Sequence, residues 1–513
     1  MKQNIEQGVP PRPKVLIFIV AYNATSHIER VLDRIPAVIW DKAQYDTEVL
    51  IIDDASKDNT AEMARMYKTA HQKANLCVLR NPVNQGYGGN QKIGYHYAIS
   101  RGFDIVALLH GDGQYAPEML PALIAPIADG RADAVFGSRM LRKRDALKGG
   151  MPLYKFIGNR VLTAIQNAVL GSHLSEFHSG YRVYAVAALA ALPFACNSND
   201  FDFDTDIIIQ LLDTKHTIQE LPIPTFYGDE ICYVNGLSYA RRIIVSAFLS
   251  RLQAWSIYYH PKFDYPTAAS PYQPKLDFAS SHQFAVKHVP AGACVLDIGC
   301  GDGHVARAVR AKGCRVYGVD YRVTAVTLAN CDAAAPIDLD HPAWPAAWDT
   351  LAFDTILLLD VLEHLRDPAQ FLRDVRARYG RCHPRVIVTT GNVAFVLVRL
   401  SLLCGAFNYG KRGILDITHT RLFTKKSLIA LVEQAGGQVK TVSGVPAPFP
   451  LAVGPGWLGR ALLKINQALI WLWPTLFSYQ LCCEMILPPS LAGLLHNALE
   501  SSTAQEPVSK GNE

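Results

Sequence analysis

The 513-residue chain has little net charge, no Cys-x-x-Cys pair among its eleven cysteines, and no long apolar run free of charge, amide or proline. A formal charge of +5 gives no general attraction to nucleic acid, although local basic clusters can still meet phosphates or an anionic membrane. The scattered cysteines, with Cys77, Cys294 and Cys314 in apolar strand-like surroundings, suit buried thiols and a reduced, cytoplasmic setting. The first apolar run, Val15 to Tyr22, is too short for a signal-peptide core or a span, so no export signal is expected. Gly391 to Phe407 is interrupted by Arg399. Ile465 to Cys483 has the length of a span but contains Asn466, Gln467, Pro474 and Gln480 beside Trp471 and Trp473. A span, an interfacial or acceptor-binding helix, and a buried core helix all stay open for it.

What is present is two successive α/β patterns. Length alone asks for two or three domains. In the first, Val15 to Val20, Val49 to Ile52, Leu76 to Leu79 and Ile105 to Leu109 read as buried strands. Helices over Ser26 to Ile35 (Ser26 as cap), Ala61 to Ala70 and Gln91 to Ser100 alternate with them, as in a parallel sheet. Ligands gather at the carboxyl ends of such strands. Those ends carry Tyr22 and Asn23, then Asp53 and Asp54, then Asn84 to Gly89, then His110-Gly-Asp112-Gly-Gln114. Asp112 and Gln114 are spaced to face one hard cation, and the glycines between allow close backbone approach to a phosphate. Phe201 to Leu212 places Asp204 and Asp206 before an apolar helix, with capping as the plain alternative. Arg241 to Tyr259 alternates basic and apolar residues, suiting either a membrane surface or closure of the domain.

Prolines 261, 266, 271 and 274 break the pattern. The expected organisation is a polar extension over 1–13, a domain over 14–255, a linker over 256–281, a second domain over 282–490 with apolar C-terminal helices, and a disordered tail over 491–513. The second domain opens with strand Ala293 to Leu296 and the turn Gly299-x-Gly301-x-Gly303. His304 stands where a dinucleotide fingerprint needs glycine, which disfavours NAD or FAD. Asp320 ends the next strand about 20 residues on, placed for ribose hydroxyls.

The first half resembles the inverting GT-A glycosyltransferases, most closely the dolichyl- or polyprenyl-phosphate sugar transferases, a Rossmann-like fold. The motifs are Val20 to Asn23, Ile51 to Thr60, Asn84 to Gly89, Asp112 to Glu118, Gly137 to Arg139 and Ser179 to Arg182. The resemblance implies that Tyr22, Asn23, Asp53 and Asp54 hold the nucleotide sugar, Asp53 and Asp54 its base and ribose. It gives Arg139 and Arg182 the phosphates, Asp112 and Gln114 a Mg²⁺ or Mn²⁺ ion, and Asp206 the role of a functional acid. His110 replaces the first carboxylate of the family's Asp-x-Asp, and a packing or hydrogen-bonding role is favoured for it. Tyr227 to Ser238 lacks the basic ending of many relatives, so a lipid phosphate and a glycan both stay open as acceptor.

The second half looks like the class I S-adenosylmethionine-dependent methyltransferases, also Rossmann-like. It carries Val295 to Gly303, Asp320, Asp338 to Asp340 and Phe353 to Leu365 in the family's order. The resemblance puts Asp297, Gly299, Gly301 and Gly303 at the methionine portion of S-adenosylmethionine, Asp320 at its ribose and Asp338 at its adenine. Asp360, Glu363 and His364 then border the methyl acceptor, His364 as a base or merely as packing, with His419 and Arg421 nearby. The chain as a whole is expected to be a bifunctional enzyme of lipid-linked or surface glycan synthesis, peripheral at the cytoplasmic membrane face. The alternative is a scaffold whose first domain binds a nucleotide sugar without turnover.

Overall fold

The computed structural model describes residues 12–41, 43–225, 235–254, 258–265, 276–454 and 456–495. It divides into two compact units, Met1–Gln253 with His260–Ala268, and Ala254–Tyr259 with Ala269–Glu513.

The first unit is built on seven strands: β1 (Lys14–Ala21), β2 (Asp46–Asp53), β3 (Leu76–Arg80), β4 (Ile105–His110), β5 (Ala134–Ser138), β6 (Arg182–Ala185) and β7 (Ile218–Pro222), in the order β3-β2-β1-β4-β6-β5-β7. Continuous apolar runs suit a sheet covered on both faces. Val15, Ile17 and Ile19 pack with Val49 and Ile51 on one side; Leu16 and Phe18 pack with Leu50 and Ile52 on the other. The first four strands are parallel, but β6 runs antiparallel between β4 and β5, with Arg182 opposite Leu108 and Phe136. An antiparallel strand brings its beginning, not its end, to the rim where β1, β2 and β4 end. The loop Ser179–Arg182 joins that rim for this reason.

Several local expectations change. Ser26 does not cap its helix. The helix is Ile28–Asp33, and the Ser26 hydroxyl pairs with His27 Nδ1 at 2.8 Å. Helix Gly236–Ala254 turns Ile243, Ser246, Ala247 and Ser250 inward and so closes the unit. Part of the expected linker is folded: Pro261–Phe263 forms a short helical turn with Phe263 buried in the core. Most of the segment Tyr227 to Ser238, residues 255–257 and 266–275 of the chain, and most of both termini lie outside the described residues.

The second unit has β8 (Cys294–Ile298), β9 (Arg315–Asp320), β10 (Ala333–Pro336), β11 (Thr355–Leu359), β12 (Arg385–Gly391), β13 (Gln438–Val445) and β14 (Gln480–Ile486), ordered β10-β9-β8-β11-β12-β14-β13. Strands β8 to β12 are parallel and β14 runs antiparallel to both its neighbours. Both units are thus α/β and Rossmann-like. The span-length run Ile465 to Cys483 is not one helix. It is divided among the end of helix Trp457–Leu472, the short helix Pro474–Phe477 and β14, because Pro474 and Ser478 break it. Among the described residues no helix is long and apolar enough to cross a membrane.

Candidate active sites

In the first unit, the rim of β2, β1 and β4 collects the polar strand ends. Asp53, at the end of β2, is buried. Its Oδ1 accepts from the Ser56 amide (3.2 Å) and hydroxyl, whereas Oδ2 lies 3.4 Å from Arg80 Nε and has no hydrogen-bond donor. A buried carboxylate oxygen left without a donor is costly unless a ligand supplies one. Tyr22 is exposed beside it. Asn23 has a positive φ of 51° and accepts from Lys57 N at 3.0 Å, pinning the β1 end to the 56–58 loop.

Asp54 is tied into the neighbouring turn. It accepts from Asn81 Nδ2 (2.7 Å), Gln85 N (2.8 Å) and Gly86 N (3.0 Å), so its carboxylate is used in shaping the 81–86 turn. The glycines after that turn also serve packing, since a Cβ on Gly88 would stand 2.5 Å from Ser198 O.

After β4, Asp112 is half-buried and its Oδ1 accepts from the Gln114 amide at 3.0 Å; Gly113 between them has φ 77°. Two side-chain oxygens on one turn are too few for an all-protein cage. They suit a hard cation whose other ligands are phosphate and water oxygens. Among the described residues no cluster of three His, Cys, Asp or Glu side chains is placed to hold a metal.

His110 is built into a buried network. Its Nε2 lies 3.2 Å from the Tyr87 hydroxyl, which donates to Asp204 Oδ2 at 3.0 Å, and its ring meets Tyr115 edge-on at 4.8 Å. Burial lowers its pKa below the ordinary 6.5, favouring the neutral ring at pH 7. Gly180 must be glycine here, because a Cβ would stand 2.7 Å from both His110 Nε2 and the Tyr87 oxygen.

Three charged residues face inward, against expectation. Arg182 is 1% exposed and donates to the carbonyls of Ser179 (2.8 Å), Asp204 (2.8 Å) and Phe177 (2.9 Å), with its guanidinium over Phe136. Arg139 donates to the buried Glu176 through its amide (2.7 Å) and Nε (3.0 Å), and to His178 O at 2.9 Å. Burial alone would push Glu176 up, yet Arg139 and Asn159 hold it below the usual range. Both arginines are tied to the 176–182 loop, and Arg182 also to Asp204 O. Asp206 is fully buried, with Lys262 Nζ at 2.9 Å on Oδ1 and Ser198 N at 3.2 Å on Oδ2. An enclosed, ion-paired carboxylate has no edge for an acceptor's proton, which removes Asp206 from the catalytic group. Glu176 and Lys262 went unread in the sequence. Glu176 adjoins the Ser179 to Arg182 motif, whereas Lys262 sits in a proline-rich stretch that carries no signal.

In the second unit, Gly299, Gly301 and Gly303 all have positive φ (76°, 54° and 73°), and a Cβ on Gly299 would lie 2.5 Å from Val361 Cγ2. The turn is tied to β9 by Gly299 N to Val319 O (2.7 Å) and Gly301 N to Asp320 Oδ2 (2.8 Å). Asp297 beneath it is 2% exposed, and its Oδ2 has no partner. Burial, with the nearby Asp320 charge, pushes its pKa up to about 7. An unpartnered buried carboxyl under an open glycine turn fits a ligand bearing an ammonium group. Asp338 is exposed and caps its own turn, accepting from Asp340 N at 3.0 Å.

Asp360, just past β11, has φ 56°, a conformation that costs about 1–3 kcal/mol in a non-glycine residue and clusters at functional sites. It is held by the Thr389 hydroxyl (2.7 Å) and by Gln480 Nε2, 2.9 Å from both its oxygens. Glu363 is buried with Oε2 unpartnered; burial and the Asp360 charge push its pKa up to about 8. His364 is exposed and meets His419 edge-on at 4.8 Å. Arg421 is directed to Arg366 O at 3.1 Å. Gln480 looked like one amide in an apolar run, and only the β12–β14 pairing reveals it as the clamp on Asp360.

Compared with known families, residues 16–192 match the model for glycosyl transferase family 2 and residues 272–442 match a methyltransferase domain. The chain is 27% identical over 225 residues to a UDP-N-acetylglucosamine–dolichyl-phosphate N-acetylglucosaminyltransferase of Methanococcus voltae, covering 42% of this chain and 86% of that protein. It is 28% identical over 219 residues to an undecaprenyl-phosphate mannosyltransferase of Micrococcus luteus, covering 42% and 85%. Glucosyl-3-phosphoglycerate synthase of Mycobacterium tuberculosis, solved with Mn²⁺, UDP and glucosyl-3-phosphoglycerate, aligns at 18% identity and a TM-score of 0.35, over 46% of this chain and 78% of that one.

Proposed function

With a glycosyltransferase domain and a methyltransferase domain joined in one chain as the premise, we propose a bifunctional enzyme of lipid-linked or surface glycan synthesis. The first unit transfers a sugar, with inversion, from a nucleotide-sugar donor to a polyprenyl phosphate. The second methylates an acceptor with S-adenosylmethionine. The observation that carries the first half is the buried Asp53 oxygen, ion-paired to Arg80 at 3.4 Å but without a hydrogen-bond donor, on the same three-strand rim as the Asp112–Gln114 turn. Asp53 receives an N–H of the nucleotide base, Tyr22 and Asn23 border the nucleotide, and Asp112 and Gln114 hold the cation. A Mg²⁺ or Mn²⁺ ion there offsets the charge that grows on the leaving diphosphate.

The buried Tyr87–His110–Asp204 network keeps the turn in place, and the two inward arginines fix the neighbouring loop. No general base is needed if the acceptor is a phosphate monoester, because its second pKa of about 6 leaves it a nucleophile at neutral pH. Loss of Asp206 from the catalytic group therefore leaves this reading intact. The names of the relatives, which act on dolichyl and undecaprenyl phosphates, support that acceptor over a glycan.

In the second unit, Asp297 and the glycine turn hold the amino-acid end of S-adenosylmethionine, Asp320 its ribose and Asp338 its adenine edge. The cofactor supplies the methyl group. Asp360, clamped by Gln480 and Thr389, and His364 border the methyl acceptor and orient it. The test offers the purified full chain a panel of nucleotide sugars with Mg²⁺ or Mn²⁺ and a polyprenyl phosphate, and separately titrates S-adenosylmethionine. Metal-dependent nucleotide release that requires the lipid phosphate is expected. No release with any donor, alongside intact S-adenosylmethionine binding, refutes the first half.

A further inference from the structure

One region of the second unit reverses the usual arrangement of a surface helix. In helix Trp457–Leu472 the inward side is anchored by a buried amide: Asn466 accepts from Ala447 N (2.9 Å) and donates to Phe477 O (3.0 Å). Leu462, Leu463, Leu469 and Ile470 are half-buried, but the largest apolar side chains of the helix point to solvent, with Trp457 81% and Trp471 87% exposed and Ile465 and Leu472 also exposed. A clustered apolar face of this kind marks a contact surface. The neighbouring helix Val396–Leu403 adds exposed Leu400 and Leu403. The chain just before this helix is tied to the chain just after Trp457–Leu472, since buried Asn392 donates to Thr475 O (3.2 Å) and Ser478 O (2.8 Å).

The charge of this region identifies what covers it. Residues 391–415 contain no Asp or Glu and three Lys or Arg; residues 434–483 contain no Asp or Glu and three Lys or Arg. A second copy would oppose one basic face with another. An anionic bilayer complements both properties: tryptophans settle at headgroup level, and Lys464 reaches lipid phosphates while the apolar side chains enter the acyl boundary. We infer that helix Trp457–Leu472, with Val396–Leu403, docks the second unit on an anionic phospholipid surface, and that the methyl acceptor is carried by a membrane lipid. The second clause rests on the methyltransferase reading above. Its geometric support is that β12 ends, and β14 begins, at the rim that holds Asp360, with Gln480 following this apolar segment directly.

The docking is tested with the full chain and vesicles of phosphatidylcholine alone or of equal parts phosphatidylcholine and phosphatidylglycerol. Cosedimentation with the anionic vesicles, weakened by salt, and a blue shift of tryptophan emission are expected. Lys464→Gln should weaken binding about fivefold, from ~1 kcal/mol per surface cation. The combined Trp457→Ser, Ile465→Ser and Trp471→Ser variant should weaken it more than about tenfold. Each changed residue is exposed, and S-adenosylmethionine titration in the absence of vesicles confirms that the variants fold. Absence of binding to anionic vesicles, or variants that bind like the parent, overturns the docking. So does a concentration-dependent dimer that the triple variant abolishes, which would make a second copy the occupant. Failure of S-adenosylmethionine binding with docking intact would instead overturn the enzymatic reading and, with it, the assignment of the acceptor.

Discussion

Asp297→Asn is the sharpest perturbation of the second site, because the structure sets opposite signs for stability and for ligand binding. In the unliganded unit Asp297 is buried without a partner for Oδ2, and its pKa moves from the ordinary 3.8 up to about 7. For a carboxyl raised in this way, the contribution to stability is fully present below the unfolded value and is lost as pH rises through the folded one. At about pH 8 burying the carboxylate therefore costs about 4 kcal/mol, at ~1.4 kcal/mol per pH unit of displacement, and at about pH 5, where the folded group is protonated and the unfolded one ionised, about 2 kcal/mol. Asparagine removes the charge. Urea unfolding of the second unit should show the variant gaining over the parent, and gaining more at about pH 8 than at about pH 5. S-adenosylmethionine brings a cationic amino group, so the parent should bind it more tightly as pH rises through about 7, with proton release. The variant should bind it weakly, without that dependence. Calorimetric titration in buffers of different ionisation heat reads both. A variant less stable than the parent at every pH, or a parent whose affinity is flat through neutrality, would refute the reasoning.

Asp112→Ala should reduce nucleotide release by about 10²–10³-fold, with no recovery on changing Mg²⁺ for Mn²⁺ in the assay. Lys262→Met leaves Asp206 buried and unpaired, so thermal unfolding of the first unit should reveal a loss of about 3–5 kcal/mol, while sugar transfer by the folded fraction stays near the parent's. An unaltered melting curve with lost transfer would return Asp206 to the active site. Gly299→Ala places a methyl against Val361 at a positive φ and should weaken S-adenosylmethionine binding; adding Val361→Ala should restore only part of it, because the backbone strain persists.

The two units place their chemistry by one device. A parallel strand ends in a turn, with glycines after β4 and β8, and a carboxylate sits within two residues of the strand end: Asp53 and Asp112 in one unit, Asp297, Asp320 and Asp360 in the other. Their environments differ, and the difference has functional weight. Asp54 and Asp206 are satisfied by amides, a lysine and a serine, and hold structure. Asp53 and Asp297 each keep a buried oxygen without a donor, which leaves room for a ligand.

The sequence by itself determined two α/β halves, the leading strands of each to within three residues, and the polar residues at those strand ends, because buried parallel strands are continuous apolar runs closed by turns. It also placed both glycine turns, since a positive φ at Gly113 and at Gly299, Gly301 and Gly303 favours glycine over other residues. Which way each charged side chain faces was decided only by the tertiary structure. Arg182 turns inward because an antiparallel β6 sets its first residue between β4 and β5. Asp206 is neutralised by a lysine 56 residues away, and Asp360 is clamped by a glutamine 120 residues away. Such partners meet through sheet register and helix packing, which local periodicity does not encode. The same composition that reads as a greasy span from Ile465 to Cys483 becomes an exposed helix and a buried strand for that reason.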